Sequence, residues 1–407
     1  MSGPLALLVA VVTLFAGCAG GTAPTSPAPR PAVTQSGTTD RPATSPTASA
    51  PSATPPAPTS AAPTASQCAA RVVAKLSPRQ RAGQLVMVGV TSGSAGELAV
   101  MRRQGIGSVI LMGRHNDGVR GVRRVTAKLA WKGQQVPLLV AVDQEGGLVQ
   151  RLNGSGFDTI ASAKVQATWS SATLRSRAER WGRQLASAGV TWTLAPVADV
   201  VPANMVTRNA PIGRLGRGYG SDPATVAAKV SAFVKGMHAA GVTTSAKHFP
   251  GIGRVIGNTD FTAGVKDGVT SVDDPYLRPF QAAVEAGAGS VMVSTVTYTR
   301  IDASHPAVFS AKVVGLIRTR LGFDGVVISD DLGAARSMAS VPASTRAIGF
   351  VRAGGDLAIT VDPALADEFV GGIVSAAKVS PAVAAQVSRA ATRVVTLKVQ
   401  QGLLPCG

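Results

Sequence analysis

Four short stretches concentrate ionisable residues where the chain is otherwise apolar: Asp143 with Glu145, Asp199, Lys247-His248 and Asp330-Asp331. Each closes a run rich in Val, Ala, Leu or Ile, and Thr295 and Asp362 close two more. An ionisable group at the end of a buried strand costs free energy unless it is paired or used. The chain has only 22 acids in 407 residues, so their gathering at such positions marks a site. Several carboxylates beside a Lys-His pair and scattered arginines suit glycoside hydrolysis: one carboxylate attacks the anomeric carbon and another group handles the proton. The same set suits a sugar-binding floor, because carboxylates accept hydrogen bonds from paired hydroxyls. Schiff-base chemistry on Lys247 and a phosphate-dependent barrel stay open, although no Gly-rich phosphate loop follows the last two runs. Three Cys and four His are little material for a zinc cluster, and neither metal nor cofactor is expected.

The elements that must position these residues are eight runs bounded by Gly, Pro or polar turns: Gln84–Val90, Gly107–Met112, Pro137–Asp143, Val190–Asp199, Val242–His248, Ser290–Val296, Gly325–Asp330 and Asp356–Val361. Nearly all are continuously apolar, the mark of parallel strands buried on both faces. Apolar positions near 3.6 spacing predict helices over Asp117–Leu129, Ala172–Ala188, Pro223–Ala240, Pro275–Ala286, Ala311–Leu321, Val341–Ala353, Pro363–Ala377 and Pro381–Leu397. Asp222-Pro223 and Ser380-Pro381 each set a capping residue before a proline at the first helical position. Repeated strand–helix alternation predicts an α/β fold, a single (β/α)8 TIM-type barrel whose chemistry sits at the C-terminal strand ends.

With these elements in place, four ordered motifs resemble glycoside hydrolase family 3, in its β-N-acetylhexosaminidase (NagZ-type) branch. They are Val142-Asp143-Gln144-Glu145-Gly146-Gly147 with Val149 and Arg151; Ala195-Pro196-Val197-Ala198-Asp199-Val200; Lys247-His248-Phe249-Pro250-Gly251 with Gly253; and Ile328-Ser329-Asp330-Asp331-Leu332. The likeness spans roughly residues 75–400. It implies that Asp330 is the nucleophile, that Asp143 and Arg151 hold sugar hydroxyls, and that Lys247 and His248 bind the non-reducing sugar. Arg217 best matches a further sugar-contacting arginine, with Arg214 the weaker candidate, and Asp199 matches a strand-end acid of structural role. Glu145 is read as a structural acid pinning the Gly-Gly turn.

One departure matters. Typical members follow the Lys-His motif with an Asp-Ser-His whose Asp-His pair is the general acid/base. Here Asn258 stands where that Asp should be, Asp260 where its His should be, and Ile252 replaces another motif His. The remaining histidines are His115, His238 and His305. Asp260 is therefore the candidate acid/base, provided the loop folds over the site. An ordinary aspartate, with a pKa of about 3.9, donates poorly at neutral pH unless burial raises it. The resemblance implies an exo-acting, retaining β-N-acetylglucosaminidase cleaving terminal N-acetylhexosamine from peptidoglycan-derived fragments. A phosphorylase or transglycosylase of the same fold, or a muropeptide-binding lipoprotein with impaired catalysis, are the alternatives left by the missing dyad.

Residues 4–16 form an apolar stretch too short to span a bilayer stably, ending in Phe15-Ala16-Gly17-Cys18. This resembles a bacterial lipobox, with residues 1–17 a lipoprotein signal peptide and Cys18 the lipidated residue; the alternative is an ordinary secretory signal. Residues 18–66 are almost wholly Pro, Ser, Thr, Ala and Gly and read as a disordered linker between membrane and a barrel over 67–407. In an exported chain, facing the cell wall from a lipid anchor, Cys68 and Cys406 are expected to pair and clamp the barrel's two ends; two unpaired thiols are the alternative. Lys and Arg exceed Asp and Glu by 40 − 22 = 18, and residues 1–66 supply only one of these charges. The basic residues are scattered, without a dense run or interleaved aromatics, so nucleic acid is not an expected partner. The expected partners are a carbohydrate substrate and, through the anchor, the membrane; a monomer is expected.

Overall fold

The computed structural model describes residues 63–406. The expected signal peptide, Cys18 as the expected lipidation site and nearly all of the expected linker lie outside the described residues. Eight parallel strands close into a barrel: β1 Val86–Val90, β2 Ser108–Leu111, β3 Leu139–Val142, β4 Trp192–Thr193, β5 Thr243–Phe249, β6 Ser290–Val293, β7 Val326–Asp331 and β8 Leu357–Thr360. Each strand pairs with its neighbours in sequence, and β8 returns to β1 with Val86 opposite Ala358. The fold is the expected (β/α)8 barrel.

Why the strands read as unbroken apolar runs is visible in their two faces. Met87, Ile110, Leu139, Ala141, Trp192, Met292, Ile328 and Ile359 fill the barrel interior, joined by Val394 and Leu397 of the final helix. The alternate positions, such as Val86, Val88, Val109, Val140 and Val327, belong to a larger cluster under the surrounding helices. Side chains alternate across a strand, so burying both faces demands apolar residues at every position. At the N-terminal end of the barrel Lys398 is fully buried, its Nζ donating to Gln84 Oε1 and the Gly107 carbonyl at 2.7 Å each; burial pulls its pKa down to about 7.

Several boundaries differ from expectation for identifiable reasons. β4 keeps only Trp192–Thr193 of the expected Val190–Asp199, because Pro196 has no N–H for the ladder. The chain rejoins β5 through a bridge between Val197 and Lys247. The helices expected from Pro275 and Pro363 open as 3₁₀ turns before Arg278–Glu285 and Ala366–Val379. Asp222 and Ser380 cap their helices as expected, each accepting a backbone N–H three residues on. Helices Ala65–Ala74, Pro78–Gly83 and Ala95–Gln104 were not anticipated, although each opens on a capping box: Thr64 with Gln67, Ser77 with Gln80, Ser94 with Glu97. The first of these begins two residues inside the stretch read as linker.

Helix Ala65–Ala74 packs along the final helix, Pro381–Gln400. A Cys68–Cys406 disulfide joins the two ends, with Cα atoms 5.6 Å apart and 338 residues of separation. In the chain-entropy view a cross-link closing so long a loop stabilises by about 6 kcal/mol. Three long excursions leave the C-terminal ends of β3, β4 and β5 and build the walls of the site. The first holds a hairpin, Gln144–Gly146 against Val149–Gln150. The third pairs Lys266–Asp267 with Thr297–Tyr298.

Candidate active site

The floor of the site is an ion network assembled from three strands. Asp143 and Glu145 follow β3 at positions i and i+2, and so share one side of the chain. Lys247, on β5, lies between them, its Nζ 2.9 Å from Asp143 Oδ1 and 2.7 Å from Glu145 Oε1. Arg217 donates to Glu145 through both Nε (2.9 Å) and Nη2 (2.7 Å). Arg151, returning along the hairpin, donates its Nε to Asp143 Oδ2 at 3.3 Å. Burial opposes charge on both carboxylates, but Lys247 with Arg151 outweighs it at Asp143, and Arg217 with Lys247 outweighs it at Glu145. Both pKa values therefore lie below the ordinary range. Burial likewise opposes the Lys247 ammonium, yet Asp143 and Glu145 raise its pKa. All five groups are ionised at neutral pH, three cations against two anions.

Glu145 corrects the sequence reading. Its carboxylate does not pin the Gly-Gly turn; it anchors Arg217 and Lys247. The turn needs its glycines for another reason. Gly146 has φ +99°, and a Cβ there would lie 2.4 Å from the Ala161 carbonyl.

Beside the network, His248 is held by Asp199, which is fully buried. Its ring Nδ1 sits 2.8 Å from Asp199 Oδ2, and Asp199 Oδ1 accepts the backbone N–H of His248 (3.3 Å) and of Ile252 (2.8 Å). A proton on Nδ1 leaves Nε2 as the outward-facing nitrogen. Lys247 and His248 both line the cavity across a cis peptide bond.

The two aspartates ending β7 have opposite fates. Asp331 accepts four backbone N–H groups, from Gly333 and Val361 at Oδ1 and from Ala334 and Ala335 at Oδ2, all within 3.0 Å. It shapes the loop and has no acceptor site to spare. Asp330 accepts only the Asp331 N–H (2.9 Å) and turns into the cavity. Burial pushes its pKa up to about 6; the nearby His248 opposes this and the Asp260 charge adds to it.

The loop after β5 is stapled on every side. Asn209 donates to the carbonyls of Ile252 (2.8 Å) and Val255 (2.7 Å). Arg254 grips Asp274 with both Nη atoms and lies 3.8 Å over the Tyr276 ring. A Cβ on Gly253 would fall 1.9 Å from the Val200 carbonyl, so only glycine fits. Farther on, the carbonyls of Thr259 and Asp260 accept the N–H groups of Ser337 and Arg336 at 3.1 Å, which ties the loop to the segment after β7.

This folding brings Asn258, Thr259, Asp260 and Phe261 onto one cavity of about 590 Å³ with Asp143, Arg151, Arg217, Lys247, His248 and Asp330. All seven side chains expected to bind or process sugar therefore face one space. Among the described residues His248 is the only histidine lining it, and Arg214 is not among the lining residues. Asp362, which ends the last apolar run, caps the 3₁₀ turn after β8 instead. Among the described residues no three His, Cys, Asp or Glu side chains are placed to hold a metal ion.

A closed parallel barrel with a pocket of carboxylates, arginines and a lysine at its C-terminal mouth is the architecture of a carbohydrate-processing enzyme. Comparison with known proteins narrows the class. The model of the glycosyl hydrolase family 3 N-terminal domain matches residues 78–397, and the chain belongs to glycoside hydrolase family 3. It is 35% identical over 341 residues to the β-hexosaminidase LpqI of Mycobacterium tuberculosis, covering 81% of this chain and 84% of the relative. It is 32% identical to a β-hexosaminidase of Stenotrophomonas maltophilia, over 70% of this chain and 85% of the relative. A solved β-N-acetylhexosaminidase from Beutenbergia cavernae superposes with a TM-score of 0.77 at 43% identity, covering 81% of this chain and 99% of that one. The protein is a glycoside hydrolase.

The unengaged carboxylate leaves a mark on stability. Native Asp330 keeps its proton up to about pH 6, whereas an unfolded aspartate loses it near pH 4. The native state binds more protons across that window, so stability falls as pH rises through it and stays lower above it. Asp330→Asn should therefore be more stable than the parent at pH 7 by about 2 kcal/mol, a rise in Tm of roughly 3–5 °C, with the gain vanishing toward pH 4. Thermal denaturation at the two pH values checks this; an unchanged Tm at pH 7 would contradict it.

Proposed function

We propose that the protein is an exo-acting, retaining β-N-acetylglucosaminidase that removes terminal β-linked N-acetylhexosamine from peptidoglycan-derived fragments outside the membrane. The observation that carries the reading is the division between Asp330 and Asp331: one carboxylate is held by four amides, the other is open to the cavity. The names of the relatives support the N-acetylhexosamine preference. The buried floor supports exo action, because a sugar seated on it has no path onward into the barrel.

In this reading Asp143, Arg151, Arg217, Lys247 and His248 hold the terminal sugar by its hydroxyl groups. Ionised Asp330 attacks the anomeric carbon as the glycosidic bond breaks, and Asp260, exposed at the lip of the cavity and without the burial expected of it, is the group we assign to protonate the departing oxygen, so leaving groups that need little acid help should be turned over best. The glycosyl-enzyme so formed has inverted configuration. Water, deprotonated by Asp260, then attacks the same carbon, frees Asp330 and restores the β configuration. The Cys68–Cys406 disulfide supports an oxidising compartment. It accords with export and with a lipid anchor at Cys18 that leaves a monomeric barrel facing the cell wall.

The direct test is release of N-acetylglucosamine from an aryl β-N-acetylglucosaminide. Asp330→Ala should abolish it, and turnover that survives would refute the assignment. The kcat/KM profile should fall along an acid limb centred near pH 6, since protonated Asp330 cannot attack. Asp260→Asn should shift that limb downward, because removing the neighbouring negative charge eases ionisation of Asp330. It should also cost roughly 10²- to 10⁴-fold with poor leaving groups. An acid limb that stays in place would disprove the coupling. Running the assay with inorganic phosphate separates hydrolysis from phosphorolysis, which would yield the sugar 1-phosphate. Metabolic labelling with a fatty acid should fail in Cys18→Ser; persistent label would remove the anchor.

A further inference from the structure

The cavity carries a gradient of chemistry with depth. Its floor is charged and nearly dry: Lys247 is 3% exposed, Glu145 5% and His248 5%. Asp330 is half-buried on the wall, and Asp260 is exposed above it. Next to Asp260 stands Phe261, which lines the same cavity yet is 81% exposed. A single apolar side chain left in water is ordinary on a protein surface; what sets Phe261 apart is that it also lines the cavity, beside Asp260 and on the same wall as Asn258 and Thr259.

Nothing in the fold needs the ring where it is. Among the described residues it joins no aromatic pair and belongs to no core cluster. The segment that carries it is held by its backbone. Phe261 and Thr262 donate their N–H groups to the Asn258 carbonyl at 3.0 and 2.8 Å, and the carbonyls of Thr259 and Asp260 are fixed from the far side by Ser337 and Arg336. The ring is thus presented by a firm scaffold to whatever leaves the mouth of the cavity.

We infer that Phe261 is the platform of an aglycone subsite that takes a carbohydrate ring. The inference rests on the glycosidase reading above, because it takes the floor to hold the terminal sugar and the scissile bond to lie between Asp330 and Asp260. The first ring beyond that bond must then pass one residue from the proton donor, where Phe261 stands. A pyranose has an apolar face of C–H groups that stacks on an aromatic ring while its hydroxyls stay in water. A methyl or other small alkyl aglycone does not reach that far. Stacking here would also steer the departing oxygen toward Asp260, so Phe261 sets leaving-group preference without taking part in the chemistry.

The experiment compares two substrates in the full chain: the β-1,4-linked disaccharide of N-acetylglucosamine and methyl β-N-acetylglucosaminide. Phe261→Ala should lose roughly five- to tenfold in kcat/KM on the disaccharide and less than twofold on the methyl glycoside. Phe261→Trp should restore the disaccharide value. Equal losses on both substrates, or no loss on either, would overturn the subsite. Failure of the underlying reading shows separately: parent turnover of the methyl glycoside that survives Asp330→Ala, or is absent, sinks the glycosidase mechanism and the subsite with it.

Discussion

A lysine ammonium buried between two carboxylates holds this site together. Lys247 contacts Asp143 and Glu145 within 3.0 Å, and Arg151, from the hairpin after β3, and Arg217, from the excursion after β4, pair with the same two carboxylates. Removing Lys247 would leave the Asp143 and Glu145 carboxylates without their shared buried cation, typically a loss of 3–5 kcal/mol. The network therefore fixes β3, β5 and the excursion after β4 relative to one another, and the floor proposed to receive the sugar is also a structural clamp. Its members reach the cavity already charged and oriented, so little reorganisation accompanies binding.

Against that clamp, the acids at the strand ends divide by engagement. Asp199 is fully occupied by His248 and Ile252, Glu145 by Arg217 and Lys247, and Asp331 by four amides. Asp330 alone on β7 is left with one backbone donor and a cavity before it, and its raised pKa is the cost of that isolation. A nucleophile needs this combination: a carboxylate ionised at working pH but poorly compensated, so that forming a bond to carbon relieves it. The stapled loop after β5 supplies the second carboxylate. It does so through Asn209, Arg254 and main-chain bonds to the segment after β7, so Asp260 is carried into place without a histidine partner.

Much of this was legible in the residues. Eight doubly buried strands leave an unmistakable apolar pattern, and strand-end acids stand out in a chain so poor in acid. What escaped detection has physical reasons. Glu145 was misjudged because a motif shows order along the chain, whereas its partners Arg217 and Lys247 are 72 and 102 residues away; the i, i+2 spacing from Asp143 was the available signal. The expected strand is longer than β4 because apolar composition persists through Pro196, where regular pairing breaks off before the lone bridge at Val197. The three N-terminal helices are short and bury only two or three residues each, though their capping boxes were readable. The role of Asp331 depends on backbone N–H groups that no side-chain pattern reveals, whereas Asp362 before Pro363 repeats the capping signal of Asp222-Pro223.

The central claim is that the Asp330 carboxylate forms a covalent bond to the anomeric carbon. The most direct test is to incubate the protein with a 5-fluoro N-acetylglucosaminyl fluoride, whose electron-poor ring slows release of the intermediate, and to locate the label by peptide mass spectrometry. The account predicts one added sugar per chain, attached to Asp330. A label on Asp143, Asp260 or Asp331 would contradict it.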